Sequence, residues 1–130
     1  MRNNIQLGKF GRNRSNLWTY PSPASFGHAG EEGSLLKDHP TPKPVAMVAD
    51  AILDCTTRGD LVLDPFMGGG ATLVAAERTG RFCRAIEIEP KYVDAALRRL
   101  QRTTGEVAVR LSDGRRFDEL EQEARDHVAG

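Results

Sequence analysis

The sequence predicts an α/β fold with a parallel sheet core. Three short apolar stretches, 61–63, 82–88 and 107–111, are separated by segments whose apolar residues recur at three- and four-residue spacing. Glycine or proline stands at nearly every junction between the two patterns. Strand, helix, strand, helix, strand with right-handed crossovers makes half of a doubly wound sheet. A length of 130 residues suits one small domain and is too short for two ordinary cores.

The first 20 residues are polar and rich in asparagine, with Ile5, Leu7 and Phe10 spaced by polar residues and 16–20 alternating. One or two short strands are expected there, with Trp18 and Leu17 turned to a core. Residues 21–38 carry prolines, glycines and serines and read as a long surface loop. In His39-Pro40-Thr41-Pro42-Lys43-Pro44, alternate prolines hold the backbone extended, and Pro44 suits the first turn of a helix. Val45, Val48, Ala49, Ile52 and Leu53 then define an amphipathic helix over 45–54. Two parts are expected, 1–38 as amino-terminal strands and loop, and 39–130 as the α/β portion.

Leu61-Val62-Leu63 reads as a strand buried on both faces, followed by Asp64-Pro65-Phe66-Met67-Gly68-Gly69-Gly70 and the alanine-rich helix 71–79, which Gly80 ends. A glycine turn between a parallel strand and a helix is where such sheets hold nucleotide-type ligands. The two common phosphate fingerprints are absent. Leu73 stands where a dinucleotide site needs its third glycine, and no lysine lies between Lys43 and Lys91 for a P-loop. A carboxylate at Asp64 suits an ammonium or hydroxyl better than a phosphate, because like charges repel in a partly dry cleft. The bland alternative is a strand ending in an Asp-Pro turn.

Strand 82–88 ends at Glu87-Ile88-Glu89, and Pro90 opens a helix with a buried stripe of Tyr92, Val93, Ala96, Leu97 and Leu100. Arg98, Arg99 and Arg102 are expected in water, and Gly105 as the helix end. A third strand over 107–111, a turn at Ser112-Asp113-Gly114 and an exposed helix over 117–127 complete the chain. Asp64, Glu87 and Asp113 thus fall at the carboxyl ends of three adjacent strands. Glu87 lies 23 positions after Asp64, near the roughly 20 expected of a nucleotide-binding βαβ unit whose acid accepts ribose hydroxyls. It would serve equally as an acid favouring the following helix N-terminus.

Charge gives little direction overall, with 18 basic and 18 acidic residues. Its distribution says more: residues 1–30 hold Arg2, Lys9, Arg12 and Arg14 and no acid, an arm suited to phosphate or simply to solvent. Cys55 and Cys83 lie far apart without a Cys-x-x-Cys or a secretory segment, which predicts reduced thiols and a cytoplasmic protein. The three histidines show no metal-ligand spacing, so no metal is expected, and no stretch is long enough for a membrane span.

Asp64-Pro65-Phe66-x-Gly68-x-Gly70 resembles the S-adenosylmethionine motif of amino-methylating DNA methyltransferases. His39-Pro40-Thr41-x-Lys43-Pro44, just upstream, is similar to the methionine-binding loop of that family, in the order found in its β class. The segment 85–92 resembles the family's ribose-binding strand and following helix. The matches cover about residues 39–113, and Leu17-Trp18 with the loop after it resembles the region just preceding. The resemblance implies a partial Rossmann-like S-adenosylmethionine-dependent methyltransferase fold that acts on adenine N6 or cytosine N4 of double-stranded DNA. It also implies cofactor-binding roles. His39, Thr41 and Lys43 would lie in the loop at the methionine end, and Asp64 would face the ammonium. Pro65 would belong to the same cofactor-binding motif, and Phe66 and Ile88 would pack on the adenine or its surroundings. Gly68 and Gly70 would admit the ligand to the backbone, Glu87 would hold the ribose, and Asp113 would reach the adenine amino group. Gly69 and Ala71 depart from the pattern, where serine and threonine are usual.

The family's catalytic motif contains Pro-Pro, and no Pro-Pro occurs in this sequence. In the β class it lies upstream of the proline loop, so the chain resembles a carboxyl-terminal portion, with no catalytic residue of its own and a separate chain as a possible supplier. Without the neighbouring catalytic strand, an apolar exposed edge is expected at 61–63 unless the amino-terminal strands cover it. The readings in play are a DNA amino-methyltransferase, a non-catalytic S-adenosylmethionine-binding fragment, and a nucleotide-binding module of another enzyme class.

Overall fold

A computed structural model describes residues 17–20 and 43–130 of the chain. Among these, the elements in order are α1 (Val45–Cys55), β1 (Leu61–Asp64), α2 (Ala71–Thr79), β2 (Phe82–Ala85), α3 (Pro90–Thr104) and α4 (Phe117–Ala129). The glycine and proline punctuation explains these bounds. Gly80 and Gly105 end α2 and α3 in the left-handed conformation, and Pro90 occupies the first turn of α3.

β1 and β2 pair in parallel, Leu61 opposite Phe82 and Asp64 opposite Ala85. Side chains alternate across a strand, so Val62, Asp64, Cys83 and Ala85 share one half-buried face, while Leu61, Leu63, Phe82 and Arg84 share the other, exposed one. The helices cover the first face. Val45 and Ile52 of α1 and Ala71, Val74, Ala75 and Ala76 of α2 form the core, with Val62, Cys83 and Leu100 packed against it. Ala75 and Ala76 are fully buried, and their small side chains let α2 lie close to its neighbours. Arg81 then fastens the far end of this layer. Its Nε donates to Thr56 Oγ1 at 3.0 Å and its Nη2 to the Thr56 carbonyl at 2.9 Å, joining the exit of α1 to the entry of β2.

The structure departs from expectation in five places. The second strand stops at Ala85 instead of 88, because the chain beyond it turns so that the Glu87 side chain can accept two backbone N–H groups. The expected third strand does not join the sheet. Val109 forms a single antiparallel bridge with Arg116, and the stretch makes its hydrogen bonds with its own return: Arg110 N–H to Arg115 O at 2.8 Å and Phe117 N–H to Ala108 O at 2.9 Å. Asp113 therefore sits in a hairpin turn and not at the end of a sheet strand. Leu17 and Trp18 are exposed rather than core-facing, and residues 17–20 form no strand; Tyr20 instead donates its hydroxyl to Asp50 on α1. Leu53 is also exposed, leaving the α1 stripe narrower than its spacing implied. The fifth difference is Arg99, which is buried, only 5% exposed, where water was expected.

The hairpin turn is held by charge. A hydrogen bond from Arg110 lowers the Asp113 carboxyl from its ordinary 3.8 to about 2, against a smaller opposing effect of desolvation and with help from the Arg115 N–H. Because the folded value is depressed, the clasp contributes fully above the ordinary carboxyl value and is lost as pH falls through about 2. In an NMR titration the Gly114 and Arg115 amides should keep their folded shifts at pH 4 and move with a midpoint near 2; a midpoint at the ordinary value would mean the clasp does not form.

Candidate S-adenosylmethionine site

The site is built at the carboxyl ends of β1 and β2, where the chain leaves the sheet twice within a few ångströms of the same glycine turn. Asp64 closes β1. Its Oδ1 accepts the Phe66 N–H at 3.0 Å, and its Oδ2 accepts the Thr72 hydroxyl at 2.5 Å, so one carboxylate ties the strand end to the first turn of α2. Beside the positive end of a helix a carboxylate is favoured. Its charge acts on a neighbour as well: burial first, and Asp64 second, raise the Cys83 thiol above its ordinary pKa.

Glu87 approaches the turn from the other strand. Its Oε2 accepts the Gly68 N–H at 2.7 Å and its Oε1 the Glu89 N–H at 3.0 Å. An ionised carboxylate offers about four acceptor positions, the number a group serving both backbone and ligand hydroxyls would need. The turn itself needs glycine at two points. Gly68 and Gly70 have φ of 52° and 75°, and a β-carbon on Gly70 would come within 2.8 Å of Ala96 Cβ. Met67 N–H to Ile86 O at 3.0 Å and Gly70 N–H to Met67 O at 3.1 Å complete it.

Around these polar groups stand two apolar side chains with little protein contact, Phe66 at 87% and Ile88 at 96% exposure. Large apolar groups left open next to a hydrogen-bonding turn suit a flat, partly apolar ligand. The structure thus brings together Asp64, Pro65, Phe66, Gly68, Gly70, Glu87 and Ile88. Lys43 is exposed just ahead of α1. His39 and Thr41 lie outside the described residues. Asp113 is engaged with Arg110 and Arg115, so any contact with a ligand would require it to exchange that partner.

Sequence reasoning missed Thr72 and Arg99, and it placed Ala96 in the buried stripe without foreseeing its contact with Gly70. Arg99 Nη1 donates to the Gly69 carbonyl at 2.9 Å, and Ala96 packs under Gly70. Their spacing held the signal: Tyr92, Ala96 and Arg99 fall at i, i+4 and i+7, on the stripe that faces the sheet.

The sequence profile of a DNA methylase family, the N6/N4 methyltransferases, matches residues 2–98. The chain belongs to the N6/N4 DNA methylase family. It is 31% identical over 98 residues to the type II methyltransferase M.ScaI of Streptomyces caespitosus, covering 75% of this chain and 31% of that protein. It is 36% identical over 86 residues to M.BglII of Bacillus subtilis, covering 66% and 22%. The chain therefore spans less than a third of the length of either curated relative. The crystal structure of the M1.HpyAVI–SAM complex superposes with a TM-score of 0.52 at 34% identity, over 68% of this chain and 42% of that one. The fold is accordingly a partial Rossmann-like methyltransferase fold. No described helix is long and apolar enough to cross a membrane. Among the described residues no group of three or more His, Cys, Asp or Glu is placed to hold a metal.

Proposed function

We propose that this N6/N4 DNA methylase chain is the S-adenosylmethionine-binding portion of a DNA amino-methyltransferase directed at adenine N6 or cytosine N4. The observation that carries the reading is the convergence of Asp64 and Glu87, from adjacent parallel strands, on one glycine turn flanked by exposed Phe66 and Ile88. The donor set fits the ligand. Asp64 would take the ammonium of the methionine portion, Glu87 the ribose hydroxyls, and Phe66, Pro65 and Ile88 the adenine, while Gly68 and Gly70 let the backbone approach. His39, Thr41 and Lys43 would close the methionine end, and Asp113 would serve the adenine amino group only after releasing Arg110. When bound, the cofactor supplies a methyl group on a sulfonium centre. The protein's part is to position and to exclude water.

Residues 39–130 would then be the cofactor portion, and 1–38 would belong to the target side, where the basic arm at Lys9–Arg14 and the loop 21–38 are the segments suited to DNA phosphate. The target-base motif with Pro-Pro is absent from this sequence and would be supplied from outside it, in a longer polypeptide or by a separate chain. A second reading, cofactor binding without catalysis, is favoured by that same absence. The cofactor step is tested by calorimetric titration with S-adenosylmethionine, comparing the parent with Asp64→Asn, which keeps the shape and removes the charge. Hydrogen bonds to charged groups contribute about 1.5–3 kcal/mol, so affinity should fall by roughly ten- to a hundredfold. A parent protein that is folded and does not bind would refute the reading. Methylation of duplex DNA on adding the complementary portion of a relative would separate the catalytic from the non-catalytic version.

A further inference from the structure

We infer that Arg99 is a positioning residue for the cofactor turn, a role that rests on the cofactor reading above. Arg99 lies in the middle of α3, nine residues after Pro90 and far from both strand ends in sequence, yet its guanidinium is nearly sealed from solvent. A charged group is buried only where hydrogen bonds replace its water. Arg99 Nη1 donates to the carbonyl of Gly69, the middle residue of the three-glycine run, at 2.9 Å.

Three consecutive glycines form the least constrained backbone a chain can have, and two of them already stand at positive φ. A peptide plane between such residues can rotate at little cost unless something holds its oxygen. Here the turn is held from two directions. Glu87 accepts the Gly68 N–H from the β2 side, and Arg99 donates to the Gly69 carbonyl from the α3 side. Ala96, one turn earlier on the same face of α3, lies so close to Gly70 that a β-carbon there would come within 2.8 Å of Ala96 Cβ, and this stops the turn from sinking. The Gly69 carbonyl and the Gly70 N–H belong to one peptide unit, so fixing the oxygen also fixes the direction of the N–H that bonds Met67 O at 3.1 Å. Arg99 thereby sets the shape of the surface the ligand meets while touching no ligand atom itself.

The test uses Arg99→Gln, Arg99→Lys and the parent, with S-adenosylmethionine as the titrant and ligand-free amide exchange as a second measurement. Arg99→Gln should weaken binding by about tenfold or more at unchanged stoichiometry, the loss expected of a charge-assisted bond. Arg99→Lys, which restores a cationic donor, should recover part of that loss. Exchange of the Gly70 amide in the ligand-free protein should accelerate in Arg99→Gln relative to amides of α1. A purely structural role would instead lower the binding stoichiometry, as part of the sample unfolds, and leave the affinity of the folded fraction unchanged; that result overturns the inference. Should Arg99→Gln fail to fold, Arg99→Met, which keeps an apolar stem and removes every donor, decides, since an unchanged affinity and Gly70 exchange rate there would overturn it equally. A parent that binds no cofactor refutes the functional reading alone, because the Gly70 exchange rates still decide whether Arg99 fixes the turn.

Discussion

Gly70→Ala should cost this protein about 2–5 kcal/mol of stability, the largest loss expected from adding a single methyl group. Two independent effects combine. A non-glycine residue in the left-handed conformation costs roughly 1–2 kcal/mol, and forcing a methyl into a filled space adds about 1–3 kcal/mol. Gly70 meets both conditions, with φ of 75° and a β-carbon position 2.8 Å from Ala96 Cβ and 3.1 Å from its Cα. Gly59→Ala is the internal control, since Gly59 has φ of 86° and nothing within 4 Å. It should show the conformational cost alone. Urea unfolding of the two variants isolates the contact with α3, and equal losses would mean that α3 yields without cost. Against a typical domain stability of about 5–15 kcal/mol, Gly70→Ala would also leave less folded protein to bind cofactor.

The second large effect concerns association. Leu61 and Leu63 are 61% and 66% exposed, Phe82 stands opposite Leu61 on the same face, and among the described residues only β2 pairs with β1. An open strand edge beside a cluster of large apolar side chains is a surface that associates. Sedimentation equilibrium should show the parent protein associating with rising concentration. Combined Leu61→Lys, Leu63→Lys and Phe82→Lys should weaken that association by about a thousandfold or more, at about 1.5–3 kcal/mol for each apolar side chain no longer buried. The parent should remain the less soluble of the two. A parent that stays monomeric at every concentration would show that this face is covered within the chain or needs no cover.

The parts of the fold governed by local chemistry were legible in the sequence. Pro90, Gly80 and Gly105 act on the backbone directly, and they bound α2 and α3 where expected. Asp64 and Glu87 were legible because a parallel strand has only one carboxyl end, and ligand-binding polar groups gather there. What failed depended on partners distant in sequence. Residues 107–111 have the composition of a strand, but composition does not say whether the hydrogen bonds go to a sheet or back to the same segment; the Arg110–Asp113 pair and Gly114 turn favoured the latter. Arg99 was read as solvated because arginine usually is, and only the position of the Gly69 carbonyl across from α3 reverses that. The alternation of 16–20 would turn Trp18 to a core, whereas these residues form no strand and Tyr20 makes the tie to α1 through its hydroxyl.

The one-sided layering of the sheet divides each strand between two degrees of sequence freedom. At Val62 and Cys83 a side chain must fit against α1 and α2, so volume is fixed to within about a methylene. One residue away, at Leu61, Leu63 and Phe82, the described structure imposes almost no steric limit. These three positions nonetheless carry large apolar side chains, which solubility alone would not favour. Their identity is best understood as a requirement set by whatever lies on that face, another segment of this chain or a neighbour, so that these positions in β1 and β2 answer to contacts outside the described residues.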